Sequence, residues 1–170
     1  MKGSRRVWVI VLVMITCVGC DQVAKTYASL TLANRQPIGV FGETIRFQYS
    51  ENTGAMMGVG GDLPDAARFW IFVVFAGCAL LAILAYAILR KNLQIVDILS
   101  LSLILGGGAG NLVDRLFKGG VVIDFMVLTL VALRTAIFNI ADTAIISGIF
   151  LLAISYLPWF SRRIEEANKS

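Results

Sequence analysis

The chain has 170 residues, of which 58% are hydrophobic and 15% charged, whereas soluble domains usually carry about 25% charged residues. This composition predicts a membrane protein. Histidine is absent, which excludes catalytic pairs and zinc sites that depend on imidazole. The net charge is +4, but the basic residues lie mainly at the chain ends and in one short turn, an arrangement that favours a membrane over nucleic acid.

Four apolar segments are long enough to cross a bilayer, which takes roughly 20 helical residues. They cover about 7–30, 69–89, 95–116 and 137–157. We therefore expect an all-α membrane protein in which residues 1–170 form a single polytopic domain. The first segment also has features of a cleaved signal sequence, because basic residues precede an apolar run that ends in Gly19-Cys20, but three more spans follow it.

The short flanks of the spans place a set of basic residues on one side. They are Lys2, Arg5, Arg6, Arg90, Lys91, Arg162 and Arg163. By the positive-inside rule this side is cytoplasmic, so we expect both termini in the cytoplasm and segments 31–68 and 117–136 outside. Within the outer segments, the alternating residues 45–49 and the apolar residues 121–130 predict strands near the membrane surface. Pro64 is placed to open a short helix that leads into the second span.

Charged residues inside spans cost about 2.5–3.5 kcal/mol each on insertion scales, so they are candidates for a functional site. At about 1.5 Å per helical residue, polar groups on three spans reach the same outer level, and helical spacing groups them on one face of each span. They are Asp21 and Lys25 on the first span, Asn111, Asp114 and Arg115 on the third, and Asn139 and Asp142 on the fourth. We expect one shared site, in which Asp21–Lys25 and Asp114–Arg115 can form structural ion pairs.

Two acids in apolar runs, Asp124 and Asp142, have no cation close to them in the sequence. If their carboxylates meet at about 4 Å, their repulsion at an effective dielectric of 20 is about 4 kcal/mol, which keeps one of them protonated near neutral pH. A charged and a protonated carboxyl side by side are the arrangement of an aspartic protease. These acids are therefore the strongest catalytic candidates. The competing candidate is a Ser-Lys dyad of Ser29 and Lys25, which are four residues apart.

The glycine run 106–110 and the three cysteines favour packing over chemistry. The glycine run lacks the Lys-Ser/Thr of a phosphate loop and lies inside a span, so it indicates close helix packing or close approach of a substrate backbone. Cys17, Cys20 and Cys78 lie in apolar runs without the paired spacing of a zinc site, and we expect them to be packing residues. No metal or cofactor is expected.

Five short blocks contain most of these polar residues. They are DQVAK at 21–25, ENTGA at 51–55, GGAGNLVDRL at 107–116, VIDF at 122–125 and FNIAD at 138–142. In this order they resemble the bacterial lipoprotein signal peptidases, also called signal peptidase II, and the likeness covers essentially the whole chain. One departure is Met56-Met57-Gly58, where that family often has an aromatic residue before the glycine.

The resemblance implies a membrane aspartyl endopeptidase that cuts diacylglyceryl-modified prolipoproteins just before the lipid-bearing cysteine. It implies four transmembrane helices with a small extracytoplasmic β-cradle and a short interfacial helix, both within 38–68. Asp124 and Asp142 match the catalytic pair. The other matched positions line or support the substrate site: Asn52, Gly54, Asn111, Arg115, Asn139, Asp21, Lys25 and Asp114.

The same resemblance implies a location and a set of partners. The expected location is the bacterial cytoplasmic (inner) membrane, with the active site near the outer leaflet. The expected partners are diacylglyceryl-modified prolipoproteins and membrane lipid, and not nucleic acid.

A second hypothesis is a small ion-coupled transporter in which Asp21, Asp114, Asp124 and Asp142 relay protons. It predicts acids spread across the depth of the membrane. The centres of the spans are nearly free of charge, apart from Asp97 near the cytoplasmic end of the third span. This distribution favours the peptidase.

Overall fold

The structure is a computed structural model that describes residues 3–42, 44–130 and 133–157. The described residues contain four apolar helices: α1 (Gly3–Leu32), α2 (Asp65–Leu89, with a π-helical stretch at Trp70–Phe75), α3 (Ile95–Phe117) and α4 (Ile140–Ser155). By length and composition, α1, α2 and α3 can each cross a membrane. The fourth helix has 16 residues, fewer than the roughly 20 that a perpendicular span needs.

The fourth helix begins at Ile140 rather than at the predicted residue 137, and Asn139 is its N-cap. The side chain of Asn139 accepts a hydrogen bond from Asp142 N, while the Asp142 side chain accepts one from Asn139 N. This reciprocal capping box ends the extended chain. Phe138 lies before the cap and exchanges backbone hydrogen bonds with Met126, so the apolar pair Ile137-Phe138 is not helical.

A four-stranded antiparallel sheet joins the helices at one end. Its strands are β1 (Ile38–Val40), β2 (Ile45–Asn52), β3 (Val122–Leu130) and β4 (Leu133–Arg134), in the order β1-β2-β3-β4. The strands predicted at 45–49 and 121–130 are confirmed. The register of β2 and β3 pairs Ser50 with Asp124 and Asn52 with Val122, which brings the end of β2 beside Asp124.

The segment between β2 and α2 does not form a separate interfacial helix. It contains one 3₁₀ turn, Met56–Gly58, in which Met57 has a positive φ of 63°. The helix that follows Pro64 starts at Asp65 and continues to Leu89 as the single helix α2, which is long enough to cross a membrane. The predicted short helix is therefore the first part of α2.

The helix α3 lies at the centre of the bundle because its glycines let three helices approach it. A Cβ added at Gly106 would lie 2.6 Å from the Cβ of Cys17 on α1, and one at Gly108 would lie 2.5 Å from Leu80 on α2. A Cβ added at Gly107 would lie 2.3 Å from the backbone carbonyl oxygen of Ala141 on α4. The glycine run therefore serves helix packing. Of the three cysteines expected to be packing residues, Cys17 is half-buried, whereas Cys20 and Cys78 are exposed.

Of the basic residues predicted to share one side, Arg6, Arg90 and Lys91 lie together at the end of the bundle away from the sheet. The guanidinium of Arg6 donates to the carbonyl oxygens of Ile88, Arg90 and Lys91. Arg6 thereby fastens the start of α1 to the turn between α2 and α3. Lys2, Arg162 and Arg163 lie outside the described residues.

Candidate active site

A buried lysine joins α1 to α3 near the sheet. The Lys25 ammonium lies 2.7 Å from Asp21 Oδ2 and 2.9 Å from Asp114 Oδ2, and it donates to Asn111 Oδ1 at 2.9 Å. The side chains of the lysine and both acids are fully buried. Because a buried charge is costly unless it is paired and hydrogen-bonded, these contacts fix the relative position of the two helices. The predicted Asp21–Lys25 ion pair is confirmed.

The acids of this network also hold the neighbouring elements. Asp21 Oδ1 accepts from the backbone N–H of Ala141 in the first turn of α4 at 2.9 Å, and Asp114 Oδ2 accepts from that of Ile123 in β3 at 3.1 Å. The Gln22 side chain donates to Asp114 Oδ1 at 2.9 Å. One buried network therefore connects α1, α3, α4 and β3.

The predicted Asp114–Arg115 pair is wrong, since adjacent residues on a helix do not face each other. Asp114 Oδ1 lies instead 2.8 Å from the Nζ of Lys118, the C-cap residue of α3. Arg115 donates from Nη2 to the carbonyl oxygen of Gly54 at 2.7 Å, and its guanidinium carbon lies 5.2 Å from the centre of the Phe72 ring. Arg115 thus links α3 to the loop that follows β2.

Gly54 occupies a position in this loop where no side chain fits. A Cβ there would lie 2.5 Å from the carbonyl oxygens of Gly58 and Val59. The backbone N–H of Gly54 donates to Asn52 Oδ1 at 2.9 Å, while its carbonyl accepts from Arg115. The backbone of Gly54 therefore connects two other residues that the sequence assigned to the site.

Two asparagines connect the buried network to the two candidate catalytic acids. Asn111 accepts from Lys25 and donates from Nδ2 to Asp142 Oδ1 at 2.8 Å. Asn139 donates from Nδ2 to Asp124 Oδ1 at 2.6 Å and from its backbone N–H to Asp142 Oδ2 at 3.2 Å. Because Asn139 bonds to both carboxyl groups, the two acids lie in a single site.

The carboxyl of Asp124 is almost completely buried, with 2% of the residue exposed. Burial raises the pKa of Asp124 to about 6, and the nearby charge of Asp142 acts in the same direction. Hydrogen bonds donated by Asn52, at 3.0 Å, and by Asn139 favour the charged form and lower this pKa. Asp124 therefore exchanges its proton close to neutral pH.

Asp142 has a different environment. It is half-buried and lies in the first turn of α4, where the positive end of the helix dipole stabilises a carboxylate. The guanidinium of Arg115 interacts electrostatically with Asp142 and with Asp124. The site thus places Asp142 beside an acid, Asp124, that gains and loses a proton close to neutral pH.

Two cavities meet at the acids. The first, which we call the polar cavity, has a volume of about 550 Å³ and is bounded by Ser50–Thr53, Asp124 and the chain from Arg134 to Ile137. The second, the apolar cavity, has about 460 Å³ and includes Asp142 and Ile146. Both are bounded by Met57 and by residues 134–137, so they lie on either side of a common wall. Both volumes lie in the range of about 300–1,000 Å³ that is usual for ligand pockets.

The Ser29–Lys25 dyad does not form. The hydroxyl of Ser29 donates to the backbone carbonyl of Lys25 at 2.8 Å, and the ammonium of Lys25 is held by two carboxylates. The amine therefore cannot serve as a base for this hydroxyl. Among residues 3–42, 44–130 and 133–157, no three Cys, Asp or Glu side chains are grouped as metal ligands.

Sequence reasoning did not assign a role to Gln22 or Lys118. Lys118 follows Asp114 by four residues, so the i, i+4 rule is a signal that could have identified it. Gln22 lies beside Asp21 in the first motif, but its bond to Asp114 depends on how α1 packs against α3. Met57, which has a positive φ of 63°, lines both cavities.

Comparison with known proteins identifies relatives that match most of the chain. A family profile described as Signal peptidase (SPase) II matches residues 13–158. The lipoprotein signal peptidase of Streptomyces coelicolor is 34% identical over 154 residues, covering 90% of this chain and 72% of that protein. That of Chlorobium phaeobacteroides is 31% identical over 169 residues, covering 95% of this chain and 96% of that protein.

A solved structure supports the same assignment. A bacterial membrane enzyme determined at 1.9 Å resolution superposes with a TM-score of 0.76 and 26% sequence identity, covering 88% of this chain and 92% of that one. These relatives give no support to the ion-coupled transporter.

Proposed function

The chain belongs to the signal peptidase II family of lipoprotein signal peptidases, and from this premise we propose that Asp124 and Asp142 are its catalytic pair. The observation that carries the proposal is the double hydrogen bond of Asn139, which donates to one oxygen of each acid. Two carboxyls held in this way can share the proton that an aspartic peptidase needs. The activity is the removal of signal peptides from lipoprotein precursors in the bacterial inner membrane.

In the proposed mechanism the two acids have distinct tasks. Asp142, at the helix N-terminus and near Arg115, is the ionised carboxylate that takes a proton from the attacking water. Asp124, whose pKa is raised to about 6 by burial, carries the proton and donates it in a hydrogen bond to the scissile carbonyl. The water oxygen forms the new bond to the carbonyl carbon, and the C–N bond then breaks as Asp142 gives the proton it took from the water to the leaving amine.

The remaining site residues position this pair. Asn52, Asn111 and Asn139 donate to the carboxylates and fix their orientation. A further group of residues holds together the helices, the strand and the loop that carry these side chains: Asp21, Lys25, Asp114, Arg115 and Gly54. Their removal is expected to lower activity through loss of order rather than loss of a reacting group.

The proposed substrates are diacylglyceryl-modified prolipoproteins, cut just before the lipid-bearing cysteine. We propose that the chain forms one polytopic membrane domain with both termini in the cytoplasm and its active site near the outer leaflet. The basic cluster around Arg6 and Arg90 supports this orientation, because it lies at the end of the bundle opposite the acids. A signal peptide is itself an apolar segment, so its cleavage point would meet the site at the outer interface.

Cleavage of a defined substrate tests this function. Purified protein in detergent is incubated with a diacylglyceryl-modified prolipoprotein and with the same chain lacking the lipid, and the products are identified by gel shift and mass. We expect a single cut before the modified cysteine and slow or no cleavage of the unmodified chain. A cut elsewhere, or equal cleavage of both chains, would contradict the proposal.

Cysteine labelling tests the orientation. In a background with the three native cysteines replaced by Ala, single cysteines are introduced by Asp62→Cys in the outer segment and by Lys91→Cys in the turn between α2 and α3. Both positions are exposed. In intact cells, a membrane-impermeant reagent should label position 62 and spare position 91. The reverse pattern would overturn the orientation.

A further inference from the structure

The chain that runs from β4 to α4 forms one edge of the sheet. In the order β1-β2-β3-β4, strand β4 has a neighbouring strand on one side only among the described residues. Beyond β4 the chain stays beside β3. Thr135 N donates to Leu128 O at 2.8 Å, and the backbones of Phe138 and Met126 exchange two hydrogen bonds. We call residues 134–137 the edge segment, and it bounds both cavities at the acids.

The edge segment contains a β-bulge. Between its two points of pairing, β3 has one residue, Val127, whereas the edge segment has two, Ala136 and Ile137. Since backbone groups alternate between the two sides of a strand, those of Val127 face β2. Across the described residues, the backbone N–H and C=O groups of Ala136 and Ile137 make no hydrogen bond. Bulges of this kind are frequent next to active sites, where they end or redirect strand pairing.

The outward backbone groups recur at every second residue. Arg134 lies opposite Thr129, whose own N–H donates to Thr44 O on the β2 side. Arg134 therefore directs its backbone groups away from β3, as Ala136 does. Two residues is the spacing at which an added strand forms its hydrogen bonds with an edge.

An extended substrate needs partners for its backbone. A helical signal peptide satisfies its own N–H and C=O groups, but a stretch that is extended at the membrane loses these bonds, and unpaired groups are costly there. The edge segment offers partners close to the acids. Ala136 precedes Asn139 by three residues, or about 10 Å along an extended chain, and Asn139 bonds to both acids.

We infer that the substrate binds in an extended conformation as an additional strand on the edge segment, through backbone hydrogen bonds with Arg134 and Ala136. This inference rests on the proposed function, because it takes the scissile bond to lie at Asp124 and Asp142. In such binding the main chain supplies affinity and adjacent pockets read alternate side chains. The polar and apolar cavities lie on either side of the edge segment, where an added strand directs its side chains.

A backbone ester scan of the substrate tests the inference. Each synthetic lipid-modified peptide carries one ester in place of an amide, within four residues on either side of the scissile bond, which itself stays an amide. An ester removes one N–H donor and leaves every side chain in place. Because only alternate residues of an added strand face the edge, kcat/KM should fall about two- to twelvefold at alternate positions of one stretch. The positions between them should cleave near the all-amide rate.

The variant Ala136→Pro tests the same contact from the enzyme side. Proline is compatible with an edge strand where the N–H that it removes points away from the sheet. The variant should keep the thermal stability of the wild type and lose about two- to twelvefold in kcat/KM for the all-amide peptide. The ester penalties should also shrink, because the proline ring occupies the place of the N–H that pairs with the substrate.

Gly39→Pro is the matched control on the opposite edge of the sheet. Gly39 lies opposite Arg46, whose backbone groups face β3, so the N–H of Gly39 also points away from the sheet. The residues of β1 bound neither cavity at the acids. This variant should keep both the wild-type rate and the alternating ester penalties.

The outcomes separate this inference from the proposed function. Ester penalties that are absent, or that do not alternate, would overturn the inference, and so would full activity and unchanged penalties in folded Ala136→Pro. If Ala136→Pro does not fold, the ester scan with the wild-type protein decides alone. Failure of the wild-type protein to cleave the all-amide lipid-modified peptide would instead contradict the proposed function.

Discussion

The hydrogen bond from Asn52 to Asp124 sets the pH range over which the proposed enzyme keeps its catalytic proton. Asn52 Nδ2 lies 3.0 Å from Asp124 Oδ2 and favours the charged form of the acid. In Asn52→Ala this donor is lost while Asp124 stays buried. The charged form then becomes less favourable, so the pKa of Asp124 should rise above its present value of about 6.

The size of the shift follows from the strength of the bond. A hydrogen bond to a charged group is worth about 1.5–3 kcal/mol, and one pKa unit corresponds to about 1.36 kcal/mol. Loss of the Asn52 donor should therefore raise the pKa by about one to two units. If activity requires a proton on Asp124, the basic limb of the pH profile of kcat/KM should move to higher pH by the same amount. Activity would then extend further into the alkaline range.

The assay is cleavage of a lipid-modified prolipoprotein, with kcat/KM measured across about pH 5–9. Asn52 also accepts a hydrogen bond from the backbone of Gly54, so Asn52→Ala can loosen the loop as well. Thr53→Ala is the matched control, because the Thr53 hydroxyl bonds to Gly61 in the same loop and not to Asp124. It should change the rate without moving the limb. A limb that stays in place in Asn52→Ala, or moves to lower pH, would refute the reasoning.

Three other predictions concern stability and the rejected nucleophiles. Lys25→Met deprives two buried carboxylates of their shared cation, so the free energy of unfolding in detergent should fall by about 3–5 kcal/mol. Adding Asp21→Asn should recover part of this loss. Equal stability of Lys25→Met and wild type would contradict the network. Burial raises the pKa of Asp124 to about 6, so the contribution of this acid to stability is full below about pH 4 and is lost as the pH rises through about 6. Thermal stability should decline over this pH range in the wild type, whereas Asp124→Asn should not show this decline. Ser29→Ala and a variant with all three cysteines replaced by Ala should both cleave substrate normally, whereas inactivity of Ser29→Ala would revive the serine-lysine mechanism.

The bounds of the long helices could be predicted from hydropathy because their apolar runs are uninterrupted. The start of α4 could not, since Ile137 and Phe138 continue the apolar run but pair with β3 instead of joining the helix. A local signal was available in Asn139, an N-cap residue followed three positions later by the acid Asp142. Hydropathy alone does not register a cap of this kind.

The residues that form the site could be predicted more fully than the contacts between them. Equal depth on three helices correctly indicated that the polar residues converge. The predicted partner of Asp114, Arg115, was wrong because residues four positions apart face each other on a helix, and Asp114 pairs with Lys118. The role of Asn139 as the link between Asp124 and Asp142 depends on the meeting of β3 with the start of α4, a long-range contact that local patterns do not encode.

The most direct test of the catalytic pair compares three conservative substitutions, Asp124→Asn, Asp142→Asn and Asp62→Asn, in the cleavage of a lipid-modified prolipoprotein. Asn keeps the size of Asp but can neither take a proton from water nor share one with a second acid. The first two variants should each lose cleavage by about 10²–10⁴-fold or more, and the double variant should lose little beyond that because the pair acts as one unit. Asp62, an exposed acid in the segment between β2 and α2, should be replaceable without loss. Substantial turnover by folded Asp124→Asn or Asp142→Asn would contradict the aspartyl mechanism.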